Sequence, residues 1–350
     1  MFIFVSGGDF TVKPTDFSYY LTGFLTKFLP GEIGASKNTI ASYRDTFILF
    51  LRFLKDEKGI SVEHLTLNKI TKNLVVDYLD WTEDKRQCSP STRNVRLAAL
   101  HSFFKYLQYE NPDNLLEWQQ VLSISVKKTE KKTINYLTLD GIKLLLEMPD
   151  LNTEAGRRNL ALLTLMYDTG ARVQEVIDLT PSMIRFDKPY TIKLIGKGNK
   201  ARIVPLMEPT MRIVKKYMEE QNLLRNSANL YPLFFNKRKE RLTRAGVNYI
   251  VEKYKKLARE KNKVLIPEVL SCHCLRHSKA MHLLQAGVNL VYIRDILGHC
   301  SVQVTEIYAK TDSKQKREAI EKAYVDVSPT DEPMWEKNED LLTWLKTFNK

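Results

Sequence analysis

From Pro14 to Leu122 apolar residues recur at helical spacing, with no stretch of strand-like alternation. Ser36-Lys37-Asn38-Thr39 offers capping side chains, and Ile40, Tyr43, Phe47, Phe50, Leu51 and Leu54 follow along one face. A second such stretch starts at Ser91 and carries Val95, Leu97, Leu100, Phe103, Phe104 and Leu107, while Lys37, Arg44, Arg93 and Arg96 punctuate the two helices. The periodicity stops at Ser125. Val126-Lys127-Lys128-Thr129-Glu130-Lys131-Lys132 is dense in positive charge and has no apolar repeat, which predicts a linker.

Beyond it, Thr138 reads as the N-cap of a helix carrying Leu144, Leu145 and Leu146, and a further helix runs from about Arg157 to Tyr167, stopping near Gly170. Tyr190 to Ile195 and Ala201 to Leu206 then read as two strands around the turn Gly196-Lys197-Gly198-Asn199-Lys200. Everything after the hairpin is expected to be helical, with Gly287 and Gly298 closing helices. The acidic stretch from Asp326 to Glu332, with Pro329 and Pro333, sets apart a last short helix holding Leu341, Leu345 and Phe348. The pattern predicts a mainly α chain with one small β-hairpin, in four parts: an N-terminal helical domain over 1–124, a basic linker over 125–136, a larger domain over 137–325 and a tail over 326–350.

Composition narrows the partner. The chain has 350 residues and is 43% hydrophobic, enough for two globular cores. No apolar run approaches the roughly 18 residues of a membrane span, and the apolar start at Met1 to Val5 is too short for a signal peptide, so a cytoplasmic protein is expected. Lys and Arg total 54 against 41 Asp and Glu, a formal charge of +13, which favours a polyanion such as DNA or RNA over charge kept merely for solubility. The linker fits either account, laying lysines along a phosphate backbone or simply staying solvated. Four cysteines, Cys88, Cys272, Cys274 and Cys300, are too few for a disulfide scaffold. A zinc site from Cys272, Cys274 and His277 is a competing reading, weakened by the short Cys272–Cys274 spacing.

Several polar residues then stand out. Arg172 opens a helix whose Val173, Val176 and Ile177 face inward, with Glu175 three residues on to brace its guanidinium; such a fork suits phosphate oxygens, although surface Arg–Glu pairs are common. Lys197 sits at the hairpin tip, where a lysine serves solubility or gives up a proton in a groove. His273, Arg276 and His277 lie within one helical turn. Histidines four apart can hold a metal, but no acidic third ligand follows and Arg276 would repel a cation, so phosphate is the better guest. His299 follows Leu297-Gly298. Tyr308 sits on the next helix, where it reads as a core aromatic or as a reactive phenol. Taken together, two arginines, two histidines and a lysine around a tyrosine are what metal-free phosphoryl transfer requires. A tyrosine titrates near pH 10, so ionising it at pH 7 costs about 4 kcal/mol, a cost that nearby guanidiniums reduce.

Thr169-Gly170-Ala171-Arg172-Val173-Gln174-Glu175, Gly196-Lys197-Gly198-Asn199-Lys200, His273-Cys274-Leu275-Arg276-His277, and Leu297-Gly298-His299 followed nine residues later by Tyr308, occur in an order that resembles the tyrosine recombinase, or lambda-integrase, family. The likeness extends over roughly Ser36 to Tyr324 and is strongest to its Xer-like and transposon-encoded members. It implies a SAM-like core-binding domain and a catalytic domain closing on DNA as a C-shaped clamp, acting as a homotetramer on paired sites with no metal and no cofactor. By motif position, Arg172 and Arg276 would hold the scissile phosphate, Lys197 would protonate the leaving 5′ oxygen, His273 would assist proton transfer at the nucleophile, His299 would bond the phosphate, Glu175 would orient Arg172, and Tyr308 would attack phosphorus. The product would be a 3′-phosphotyrosine, and exchange with a second duplex would pass through a Holliday junction.

The long lead before Ser36, the 42 residues after Tyr308 and the tail tryptophans Trp335 and Trp344 tilt the expectation toward a mobile-element recombinase. A housekeeping Xer enzyme resolving chromosome dimers is the alternative. A non-catalytic DNA-binding descendant would be expected to have lost Arg172, Arg276 or Tyr308. The tail helix around Leu341, Trp344, Leu345 and Phe348 is expected to dock on a neighbouring subunit or on its own chain.

Overall fold

A computed structural model of the chain describes residues 14–129, 134–299, 301–311 and 346–347. The expected tail helix, with Leu341, Leu345 and Phe348, lies outside them, as do Cys300 and the side chain of Lys197. The chain divides into two compact units, one up to Lys132 and the other from Thr133 onward.

The first unit is built from helices α1 (Asp16–Gly23, continuing as a wider π-helical segment over Phe24–Glu32), α2 (Lys37–Lys58), α3 (Lys72–Asp84), α4 (Pro90–Glu110) and α5 (Leu115–Leu122). Ser36, Thr71 and Ser89 cap α2, α3 and α4, each accepting a hydrogen bond from the backbone N–H three residues on. Helix α2 ends at Gly59, whose left-handed φ of 65° costs a glycine little. The core is aromatic: Phe103 is fully buried, and its ring meets Phe24 at 5.3 Å, Phe47 at 5.2 Å and Phe17 at 6.0 Å, all near edge-to-face.

The second unit contains α6 (Leu139–Leu146), α7 (Glu154–Thr169), α8 (Val173–Ile177), β1 (Ile184–Arg185), β2 (Thr191–Ile195), β3 (Ala201–Pro205), α9 (Glu208–Glu220), α10 (Arg244–Lys261), α11 (Cys272–Gln285), α12 (Leu290–Leu297) and α13 (Gln303–Thr311). Helix α7 is its centre. Ala161, Leu162, Leu163, Leu165 and Met166 are all buried, so the helix is apolar on every side and takes neighbours on every side. In the same core lie Val214 and Met218 of α9, Val247, Val251 and Tyr254 of α10 and Leu275 of α11, and the Tyr254 hydroxyl accepts a hydrogen bond from Asn159 of α7 at 3.0 Å.

Two expectations need correction. The sheet has three antiparallel strands in the order β1-β2-β3, because Ile184 and Arg185 pair with Ile192 and Thr191. Two residues are too few to show a period, and only the neighbouring strand makes them one. The chain after the hairpin is not continuously helical either: 221–243 holds one short turn at Asn226–Ala228 and an isolated bridge from Phe235 to Arg241. Positive φ at Asn222 and Lys239 breaks any helix there, while Leu233 and Phe234 stay fully buried as an irregular anchor.

Truncating Phe103 to alanine should therefore cost the first unit about 3–5 kcal/mol. Urea unfolding followed by circular dichroism would measure it, and a loss below about 1 kcal/mol would mean that this ring cluster is not what holds the helices together.

Candidate active site

The elements of the second unit converge on the C-terminal end of α12, whose last carbonyls have no helical partner and carry the negative end of the helix dipole. Three arginines from three different elements take them up. Arg202 on β3 donates from Nε to the Ile296 carbonyl at 2.8 Å. Arg276 on α11 donates to the Leu297 carbonyl at 2.7 Å and, through its other terminal nitrogen, to the Gly170 carbonyl at 2.7 Å. Arg172, the residue before α8, donates to the Gly298 carbonyl at 3.1 Å.

Glu175 is the counter-charge. It accepts from Arg172 at 2.8 Å and from both terminal nitrogens of Arg202 at 3.0 and 2.7 Å, and its second oxygen takes the Arg172 backbone N–H at 2.9 Å. Burial pushes its carboxyl up, but the hydrogen bonds and charges of Arg202 and Arg172 outweigh that and leave it below the ordinary range. Three guanidiniums against one carboxylate leave these four groups at +2 (3 − 1). Arg276 is the most strained electrostatically: burial first, then repulsion from Arg172, pulls it down to about 10. Of its five N–H donors, two are spent on carbonyls and the others remain for an anion. Such a cluster gains most from a buried negative guest.

Gly298 makes the packing possible. It closes α12 in the left-handed region at φ 64°, and a Cβ there would lie 2.9–3.1 Å from the Arg202 guanidinium and its side chain. Gly170 closes α7 in the same way, at φ 59°.

Next to the arginines stand three histidines and the phenol. Tyr308 on α13 is only 1% exposed, and its hydroxyl lies 2.9 Å from Nδ1 of His277. The His299 ring lies parallel to the Tyr308 ring, 6.3 Å between centroids and 11° between planes, and its Nδ1 is 2.9 Å from the hydroxyl of the fully buried Thr305. His273 lies one turn before His277 on α11, their rings 6.0 Å apart. Burial raises the phenol's pKa, against the pull of Arg276 and Arg172. Burial likewise lowers His277 and His299 to about 4 each, helped for His277 by His273 and Arg276 and for His299 by the three arginines. His273 is lowered by burial and by Arg276 and Arg172. At neutral pH the rings are uncharged and the positive charge resides in the guanidiniums.

The structure thus brings Arg172, Glu175, Arg276, His299 and Tyr308 into one connected cluster, with His273 beside it. The backbone of Lys197 opens the 3₁₀ turn Lys197–Asn199 between β2 and β3, next to Gly196, over which Glu175 lies. Two members went unrecognised in the sequence. Arg202 sits on an edge of alternating pattern, where its burial gave no signal. His277 lies in the turn that the sequence suggests for phosphate, but no role of its own is assigned to it there. The residues of the zinc reading have other partners: Cys272 bonds Asn248, Cys274 bonds Ser271, and His277 bonds Tyr308. Among the described residues no group of His, Cys, Asp and Glu is arranged to hold a metal ion. No described helix is long and apolar enough to cross a membrane.

Comparison with known proteins gives the same outline. Residues 135–315 match the phage integrase family, and 23–111 match the phage integrase N-terminal SAM-like domain. The chain is 35% identical over 302 residues to integrase/recombinase y4rC of Sinorhizobium fredii, covering 86% of this chain and 90% of that one. It is 31% identical over 314 residues to tyrosine recombinase XerC of Thermodesulfovibrio yellowstonii, covering 89% and 97%. Among solved structures, the Tn1549 transposon integrase in complex with transposon right end DNA superposes with a TM-score of 0.65 at 14% identity, covering 87% of this chain and 97% of that one.

The depressed histidines set a pH dependence. A histidine whose folded pKa is about 4 and unfolded pKa near 6.5 favours the folded state above the higher value, and that advantage is lost as pH falls toward the lower one. Glu175, also depressed, adds to the loss below its unfolded value near pH 4.3. The thermal midpoint of the DNA-free protein should therefore drop between pH 6.5 and 4, and more gently in His299→Gln. Scanning calorimetry across that range would show it; parallel curves for the two proteins would contradict the assignment.

Proposed function

Since the chain belongs to the phage integrase family, the tyrosine recombinases that cleave and rejoin DNA, we propose that Tyr308 is its nucleophile and that the arginine cluster at the end of α12 receives the scissile phosphate. The observation that carries this reading is the placement of the phenol: a buried tyrosine, bonded to His277 and stacked on His299, within the field of Arg172 and Arg276. A buried tyrosine in an ordinary core has no use for three guanidiniums with a surplus charge beside it.

In this reading Arg172 and Arg276 bond the non-bridging phosphate oxygens, with Glu175 and Arg202 holding the first of them in place. Their attraction grows as charge builds on phosphorus, so they favour the transition state over the bound ground state. Tyr308 Oη bonds to phosphorus as the bond to the 5′ oxygen breaks. Lys197 supplies the proton that makes that oxygen a good leaving group, a contribution of about 10²- to 10⁴-fold for a well-placed acid. His299, with Nδ1 occupied by Thr305, has Nε2 left to bond the phosphate, and His273 lies where it can join the same network. The phosphodiester energy is kept in a 3′-phosphotyrosine, so a 5′ hydroxyl from a second duplex completes exchange without ATP. The match of 23–111 to the SAM-like domain supports placing DNA grip in the unit before the linker and chemistry in the unit after it, the pair working as a tetramer on two sites.

Within the family we favour a recombinase of a mobile element. The higher identity to the integrase/recombinase y4rC than to XerC supports it. The match to XerC along 97% of that protein favours the second reading, a chromosomal Xer-type enzyme. Cleavage assays on the DNA ends flanking the gene, set against the chromosomal dimer-resolution site, separate the two.

On a nicked duplex that traps the cleaved state, the protein should form a covalent DNA adduct insensitive to EDTA, absent in Tyr308→Phe while duplex binding persists. An adduct of equal yield in that variant would remove Tyr308 from the reaction. Single-turnover cleavage by Arg172→Ala and Arg276→Ala should slow by at least 10²-fold, in the range of a lost transition-state donor, with binding reduced far less. Equal losses in rate and binding would mean that the arginines only hold DNA.

A further inference from the structure

The proton on the phenol must leave as Tyr308 attacks, and water is a poor candidate to take it from a side chain 1% exposed. The resemblance to known recombinases directs attention to His273, but the hydrogen bond on the hydroxyl is made by His277, from Nδ1 at 2.9 Å. A base must lie within hydrogen-bond reach of the proton it takes, and among the described residues His277 meets that condition. Resting on the reading of Tyr308 as nucleophile, we infer that His277 is the catalytic base of this enzyme, taking the phenolic proton during cleavage and returning it during religation.

The local fold supports the role. Helix α11 starts at Cys272, so His277 lies immediately after Arg276 and one turn beyond His273. Arg276 is fixed to the carbonyls of Gly170 and Leu297, which also fixes the turn of helix that carries His277. From α13 comes the phenol itself, and beyond the end of α12 comes His299, whose ring stacks on it. The groups facing His277 are therefore His273 and Arg276 on its own helix, Tyr308 on α13 and His299 after α12. With Nδ1 as acceptor, the neutral ring carries its proton on Nε2. Burial and these neighbours keep it neutral at pH 7 and make it a weak base in the absence of DNA. An incoming phosphate diester offsets the arginine charge and strengthens it. The base is thus strengthened when a phosphate is in place to be attacked.

The step balances. The Oη–H bond breaks and its proton moves to Nδ1 of His277. The oxygen's electron pair forms the bond to phosphorus. The bond from phosphorus to the 5′ oxygen breaks, and that oxygen takes a proton from Lys197. Religation runs each transfer backwards.

The test compares His277→Asn with His277→Gln in single-turnover cleavage of the nicked duplex, with Tyr308→Phe alongside. Asparagine keeps an acceptor close to the position of Nδ1 and so preserves a merely positioning hydrogen bond, but it cannot take a proton. Both variants should bind duplex like the parent and form the adduct at least 10²-fold more slowly. Their rates should climb with pH from 6 to 9, following the phenolate fraction, where the parent shows a plateau. A substrate with sulfur in place of the leaving 5′ oxygen, whose thiolate departs without a proton, should restore Lys197→Ala and leave the His277 variants slow. Restoration of the parent rate by His277→Asn would reduce His277 to a positioning residue and overturn the inference, as would a variant rate within threefold of the parent with a flat pH profile. An adduct in Tyr308→Phe would instead remove the reading on which the inference rests; loss of that adduct with His277 variants at full rate would sink the inference alone.

Discussion

The second unit is organised by the C-terminus of one eight-residue helix. Its final carbonyls, from Ile296, Leu297 and Gly298, each take a guanidinium, and the arginines come from a strand, a helix and a helix start widely separated in the chain. The dipole of α12 and the single carboxylate of Glu175 are what allow three like charges to stand together. Removing either would leave cations repelling one another in a half-buried site. Keeping both leaves the cluster short of negative charge, and a phosphate diester supplies what is missing. Stability and substrate affinity therefore come from one electrostatic imbalance.

The same arrangement accounts for the state of the nucleophile. Burial makes Tyr308 harder to ionise than a free tyrosine, and burial together with the arginines empties the neighbouring histidines of charge. In the absence of DNA the phenol is set against losing its proton and the neighbouring histidines against gaining one. A phosphate diester halves the surplus positive charge, from +2 to +1, and so eases the histidines' resistance to taking up a proton. That coupling is expressed through side chains fixed by α11 and by the turn after α12.

Much of this was legible in the sequence, and the limits have physical causes. Capping residues such as Ser36 and Thr138 marked helix starts because a side-chain oxygen next to an apolar repeat has few other uses there. Arg172, Arg276, His299 and Tyr308 were recognisable as a set, since their spacing recurs across a family, although no single one was persuasive. Arg202 was silent: a basic residue on an alternating strand looks solvent-facing, and its burial is decided by Glu175 and by α12, far away in the chain. His277 was visible beside Arg276 in a turn read as suited to phosphate, but its bond to the phenol was not, because only the fold brings α13 beside it. The strand at Ile184 and the irregular segment after α9 are tertiary outcomes that local pattern does not encode.

The central claim, that the cluster at the end of α12 and Tyr308 form one phosphate site, is tested most directly by the structure of the Tyr308→Phe protein on an uncleaved recombination site. The scissile phosphorus should lie between Arg172 and Arg276, its non-bridging oxygens bonded to both, about 3–3.5 Å from the position of the missing hydroxyl and in line with the 5′ oxygen. A scissile phosphate bound elsewhere on the protein, with the arginines still turned only to the carbonyls of α12, would contradict the account.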